Sequence, residues 1–358
     1  MTSQTQTETE DQLQGLRSAL QAIGLSAAPE PMPDTGLAHA HYRLPGTGWI
    51  ARVPKQSQMQ LEAADNLAYQ SACYTRASIS GHAPKLAHLL PPKADLPRGA
   101  LIVEEIIGRP ARLPEDLEAI MIALAAIHAL PTPAAAGDHA PLLAPADPLR
   151  DLLEEIEEQS AYIAAAGVAP ETEDVIQRGV EMLRTLALQE ARPSKRLISF
   201  DAHPGNFLID SAGKAVLVDL EKCRYSAPQL DIAHATLYTS TTWDVQSHAV
   251  LSVEEAACAH DWWLGAIGSR DWAHDARSWL LPMRRAMWLW SLTWCAKWRV
   301  LSGRAAKSDV DGEDWSAEQS DAALVAHVAD RVDHYLSPET VEMVDAGFEG
   351  LDAVMGHP

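Results

Sequence analysis

Apolar positions near the start of the chain recur at intervals of three and four. In DQLQGLRSALQAIGL, Leu13, Leu16, Leu20 and Ile23 share one face, the signature of a short amphipathic helix. Ahead of it, MTSQTQTETEDQ has no such period, and residues 1–12 are expected to lack fixed structure. AHYRLPGTGWIARVP then holds two strand-like runs around Pro45, Gly46, Thr47 and Gly48, a turn-rich linker that predicts a hairpin. A helix is expected from Met59 to about Thr75, and a buried strand from Leu101 to Glu104 that runs into a Gly-Arg-Pro turn.

From Leu113 the pattern changes to helices. PEDLEAIMIALAAIHAL is helix-forming with acids at its start, and PTPAAAGDHAPLLAPADP reads as a connector. DPLRDLLEEIEEQSAYIAAA and EDVIQRGVEMLRTLALQE are amphipathic by spacing. MRRAMWLWSLTWCAKWRVL places Trp290, Trp294 and Trp298 four apart on one helical face, a stripe that reads first as core. SGRAAKSDVDGEDWSAEQS reads as an exposed loop, and DAALVAHVADRVDHYL and PETVEMVDAGFEGLDAVM as terminal helices. A boundary near residues 105–112 separates a β-rich N-terminal part from a mostly helical C-terminal part, an α+β architecture.

Composition narrows the function classes. Forty-nine acidic against 28 basic residues, a net charge of −21, argue against a nucleic-acid surface, which needs a basic stripe to displace phosphate counterions. Cys73, Cys223, Cys258 and Cys295 are scattered without paired spacing, which suits a reducing, cytoplasmic location rather than a disulfide framework or zinc knuckle. No signal-peptide core and no long uninterrupted apolar run is present, so membrane insertion is not expected. His39 with His41, and His260 and Asp261 with His274 and Asp275, lack the ligand spacing of a zinc site. Neither a nucleophile elbow nor a Walker loop occurs.

The chemistry-bearing stretch is SFDAHPGNFLIDSAGKAVLVDLEKCRYSAPQLDIAHAT. Phe207–Ile209 and Ala215–Val218 are β-prone runs joined around Ser211, Ala212 and Gly213, which predicts a second hairpin. Its antiparallel pairing returns Asp219 to the end where Asn206 and Asp201 stand. Each of these residues alone reads as a turn former. Together, Asn206 and Asp219 offer hard oxygen ligands for Mg²⁺, and Asp201 is free to accept a hydroxyl proton during phosphoryl transfer.

The Asp-x4-Asn interval, the hairpin and the following Asp match a kinase catalytic loop. With SFDAHPGN, VDLE and LDIA, the chain resembles the aminoglycoside phosphotransferase and choline kinase family of kinase-like small-molecule kinases, in which HGDLHPGN, DFE or DWE, and DLA are usual. The resemblance implies a protein-kinase-like two-lobed fold, with a nucleotide-binding lobe at 13–107 and a catalytic, substrate-binding lobe at 108–358. It implies Asp201 as catalytic base, Asn206 and Asp219 as Mg²⁺ ligands with Glu221 assisting, and Asp231 as a buried partner of the catalytic loop. ALAAIHALP resembles the family's Leu-His helix end, with His128 structural, and ALIVEEIIG its hinge, where backbone groups of Glu104 to Ile106 would read adenine. An acid-lined pocket in the helical lobe would suit an amine-bearing acceptor with a hydroxyl.

Three positions depart from the pattern. Ser199 stands where His-x-Asp has its histidine, and Arg52, with Lys55 three residues on, stands where an ATP-binding lysine is usual. The helix acid that pairs with that cation is Glu62 by charge, but spacing favours Gln70. Gly36 is alone where a phosphate-covering loop is richer in glycine. The expected activity is ATP- and Mg²⁺-dependent transfer of the γ-phosphoryl group to a small-molecule hydroxyl. A catalytically degenerate kinase fold that binds nucleotide or a small ligand is the second reading, and a protein kinase a third, weakened by the lack of DFG and APE segments.

Overall fold

The computed structural model describes residues 3–33, 38–57, 59, 61–303 and 322–355. Gly36 and most of the expected loop at 302–320 therefore lie outside the described residues.

The N-terminal part contains α1 (Ser3–Ala22), β1 (Glu30–Pro31), β2 (His39–Leu44), β3 (Trp49–Pro54), α2 (Ala63–Ala77), β4 (Leu86–Leu90) and β5 (Ala100–Glu104). Its five strands pair antiparallel in the order β1-β2-β3-β5-β4. Gly46, with φ +75°, lets the chain reverse between β2 and β3. The helical period of Leu16 and Leu20 explains α1: both side chains are fully buried against Tyr42, Leu44, Ala51 and Val53 on one face of the sheet. That helix begins at Ser3, inside the stretch expected to be without structure. Its Gln, Thr and Glu residues are compatible with a helix once the apolar face beyond them is docked. Close docking needs Gly15, where a Cβ would lie 1.8 Å from the Asp95 carbonyl oxygen.

Strand alternation decides what the other face carries. With Ala51 and Val53 turned toward α1, Arg52 points the opposite way. His41 is its cross-strand partner, so His39, His41 and Arg52 share the face toward the C-terminal part.

That part comprises β6 (Arg109–Pro110), α3 (Leu117–His128), α4 (Pro148–Ser160), α5 (Ile163–Ala166), α6 (Pro170–Ala187), β7 (Arg196–Ile198), β8 (Phe207–Ile209), β9 (Ala215–Leu217) and β10 (Arg224–Ser226). It continues with α7 (Gln229–Thr236), α8 (Tyr238–Thr241), α9 (Val253–Ile267), α10 (Leu280–Leu301), α11 (Ala322–Tyr335) and α12 (Pro338–Met355). β6, β8 and β9 form one small sheet, and β7 pairs with β10 in another. One core joins α2, α3 and α9, and a second surrounds α10, where Leu152 and Ile156 of α4 meet Ile176 and Val180 of α6. Burying each such side chain contributes about 1.5–3 kcal/mol. Among the described residues no helix is long and apolar enough to cross a membrane.

His260 of α9 is 1% exposed, with Nδ1 3.0 Å from the Met355 sulfur, and burial lowers its pKa from 6.5 to about 3. His39 and His234 are shifted the same way. A depressed folded-state pKa gives stability that is full above 6.5 and lost as pH falls through the folded value, because the unfolded chain takes up the proton first. The unfolding midpoint is therefore expected to drop between pH 7 and pH 5. His260→Leu should drop less steeply, and equal slopes would show that His260 does not contribute.

Candidate functional site

The loop after β7 is held by one carboxylate. Asp231, fully buried on α7, accepts the backbone N–H of Ser199 and of Phe200, each at 2.8 Å. It also lies 3.1 Å from His128 Nε2, while His128 Nδ1 accepts the Trp263 indole N–H at 3.0 Å. The indole bond assigns the imidazole proton to Nε2, so the histidine donates to Asp231 and serves the framework. Phe200 sits in the left-handed region at φ +58°, a conformation that costs a non-glycine residue about 1–3 kcal/mol. Its ring is locked edge-on to Trp290 at 5.2 Å, with the Arg224 guanidinium 3.7 Å from its centroid. Ser199 Oγ accepts the Asp201 N–H at 3.2 Å, so the serine that replaces the expected histidine makes its own loop contact.

The β8–β9 hairpin has Phe207 opposite Leu217, and Val218 N–H donates to the Asn206 carbonyl at 2.9 Å. Asn206 and Asp219 are thereby side by side. Asn206 Nδ2 donates to the Asp201 carbonyl at 2.8 Å, and its Oδ1 has no protein donor among the described residues. Asp219 Oδ1 accepts from Arg52 Nη2 at 2.8 Å. Burial raises the Asp219 pKa, but Arg52 and the neighbouring His39 outweigh it and hold the carboxyl well below the usual range.

Arg52, on β3, faces Asp219. The arginine is 4% exposed, and its guanidinium donates to the Val218 carbonyl at 3.2 Å and lies 5.5 Å from the Tyr74 ring centroid. Its acidic partner is Asp219, not a helix acid. Buried Gln70 of α2 meets His39 Nε2 at 2.9 Å, while Glu62 is exposed just before α2. The reason lies in β2: His39 stands between the helix and the sheet, with Nδ1 3.3 Å from both Arg52 Nη2 and Glu221 Oε2. Burial and then Arg52 lower the His39 pKa to about 3, whereas burial and the Asp219 charge raise Glu221 to about 8. Ligating atoms of His39, Asp219 and Glu221 lie within 4.8 Å of one another. Lys55, half-buried past the end of β3, bonds through its backbone N–H to Ala38.

Asp201 has a partner outside the catalytic motif. Lys222 Nζ lies 2.9 Å from Asp201 Oδ2, and His234 Nε2 lies 4.0 Å from Oδ1. Burial pushes the Asp201 pKa up, but the Lys222 ammonium and the histidines prevail and keep it below 3.8. Lys222 stands beside Asp219 in VDLEKC but 21 residues from Asp201, so no local spacing pairs the two. His39, Tyr69 and Tyr74 carried no motif. The two phenols donate to the Cys223 carbonyl at 2.7 Å and the Val218 carbonyl at 2.9 Å, tying α2 to the segment after β9.

A cavity of about 180 Å³ contains Asp201, Asn206, Asp219 and Glu221. Trp290 and Trp294 line it, so the tryptophan stripe expected as core also faces the site. At the hinge, Glu104 N–H donates to Lys85 and Glu105 N–H to Gly48, both at 2.9 Å. Ile106 makes no backbone hydrogen bond among the described residues.

The profile of the phosphotransferase enzyme family matches residues 36–262. A choline/ethanolamine kinase family protein from Mesorhizobium loti superimposes with TM-score 0.57 at 15% identity, covering 96% of this chain and 100% of that one. The GDP complex of aminoglycoside 2'-phosphotransferase-IIIa gives 0.58 at 14% identity, over 94% and 99%. Ethanolamine kinase from Plasmodium vivax gives 0.57 at 12% identity, over 89% and 84%. At these identities the structures show a shared kinase-like fold, as expected from the sequence. No curated protein matches by sequence.

Proposed function

The chain belongs to the phosphotransferase enzyme family, and on that premise we propose that it is a kinase using ATP and Mg²⁺ to phosphorylate a hydroxyl of a small molecule. The observation that carries this reading is the convergence of Asp201, Asn206 and Asp219 on one cavity, with Asp201 kept ionised by Lys222. In the transfer, the acceptor oxygen bonds to the γ-phosphorus as the bond to the β,γ-bridging oxygen breaks. ADP leaves with that electron pair, and the acceptor proton passes to Asp201.

The residues present fit a hard divalent cation. Asn206 Oδ1 has no protein donor among the described residues, and only one Asp219 oxygen is engaged by Arg52. Asn206 and Asp219 would hold Mg²⁺, with Glu221 beside them. When bound, the ion supplies charge neutralisation at the phosphate oxygens. Arg52 orients Asp219, Lys55 lies near enough for its charge to reach His39 and His41, and Ile106 has backbone groups open for a nucleobase. The Glu104 backbone serves the sheet. The GDP-bound relative supports a nucleotide donor. The departure at Ser199, which motivated a degenerate fold, is offset by its bond to Asp201.

The test is the unfolding midpoint with ATP, with and without Mg²⁺. A ligand at 100 times its Kd stabilises by about 2.7 kcal/mol. The expected result is a rise that depends on Mg²⁺ and disappears in Asp219→Ala. No rise with any nucleoside triphosphate would overturn the proposal.

A further inference from the structure

The cavity is also lined by polar atoms that the phosphoryl-transfer residues do not engage. Thr239, Ser240 and His234 line the space, and Thr239 Oγ1, Ser240 Oγ and His234 Nδ1 are buried with no hydrogen-bond partner among the described residues. Their residues are 5%, 2% and 8% exposed. A buried polar group left unpaired destabilises the fold, so three together point to a ligand that supplies their partners. The lining is also aromatic: Trp243 stacks with Tyr335 at 6.3 Å and meets Trp294 edge-on at 5.9 Å.

Charge and size restrict that ligand. Among the described residues lining the cavity each carboxyl group has a partner: Asp201 lies 2.9 Å from Lys222, Asp219 2.8 Å from Arg52 and Glu221 3.3 Å from His39. An amine would meet the Lys222 charge beside carboxyl groups that, among the described residues, already have partners or, for the open Asp219 oxygen, would face Mg²⁺, and a quaternary ammonium has no use for hydroxyl partners. The volume of about 180 Å³ is below the roughly 300 Å³ at which pockets for drug-sized ligands begin. We propose that the phosphate acceptor is a small uncharged polyhydroxylated molecule of monosaccharide size. One hydroxyl faces Asp201, others bond Thr239, Ser240 and His234, and an apolar ring face lies on the tryptophans. This rests on the phosphotransferase reading and replaces the amine-bearing acceptor expected from the sequence.

The experiment incubates the full chain with Mg²⁺ and γ-phosphate-labelled ATP. One panel is neutral (aldohexoses, aldopentoses and myo-inositol), and the other is cationic (choline, ethanolamine and kanamycin). Label is expected on a neutral probe, which should also perturb tryptophan fluorescence. Thr239→Val combined with Ser240→Ala is expected to raise the KM for that probe about tenfold or more, with a smaller change in kcat. Label only on a cationic probe, or an unchanged KM in the double variant, overturns the assignment. No label on any neutral probe, with the Mg²⁺-dependent ATP shift intact, also overturns it and leaves the kinase reading standing. Absence of that shift overturns the kinase reading itself.

Discussion

Asp201→Asn is expected to lower kcat by about 10²–10⁴-fold, the range for loss of a positioned general base, while the Mg²⁺-dependent ATP shift persists. Asparagine conserves volume, so neither the loop nor the cavity need change shape. What is lost is the acceptor for the substrate proton and the partner of Lys222, 2.9 Å away. Because burial is outweighed by the Lys222 ammonium, the carboxyl stays ionised above its ordinary 3.8. Loss of activity through its protonation is therefore confined to more acidic conditions. Steady-state kinetics beside the thermal shift check this: a variant that retains kcat removes Asp201 from the chemistry, and one that loses nucleotide binding gives it a different role.

The largest effect on stability is expected from Asp231→Ala, at about 3–5 kcal/mol, the penalty for breaking a buried charged contact from one side. Three donors lose their acceptor where no water reaches: the Ser199 and Phe200 amides and the His128 imidazole. Phe200 must also hold φ +58° without the carboxylate that anchors it. Asp231→Asn keeps one acceptor oxygen but turns an NH₂ toward a donor, so only part of the loss should be recovered. Urea unfolding checks both, and an alanine variant within 1 kcal/mol of the parent would show that the loop is held elsewhere.

Legibility in the sequence followed the length and period of each pattern. The second hairpin could be read because β8 and β9 flank a glycine turn, and Asp219 then returns to Asn206 by register alone. The helices around α10 were legible from apolar spacing. β7 and β10, at three residues each, are too short to show an alternation, and β4 has a register shift between Leu86 and His88 that breaks its own. In the site, the roles of Gln70 and Arg52 depended on His39, whose place between helix and sheet comes from strand facing rather than from a motif. Lys222 was hidden for another reason: its partner, Asp201, is distant in sequence and reached only when the hairpin closes.

The bonds from Tyr69 and Tyr74 across to Cys223 and Val218 bear on how the molecule can be divided. Leu67, Tyr69, Cys73 and Tyr74 of α2 belong to the same core as Leu124 of α3 and Trp263 of α9, although the sequence suggests a boundary between them. A fragment ending near residue 107 would carry that apolar face uncovered, and the complementary fragment would lack the helix that fills it. Neither piece is self-sufficient. Truncation, domain exchange or split-reporter designs on this chain should therefore leave α2 joined to the helices that follow it.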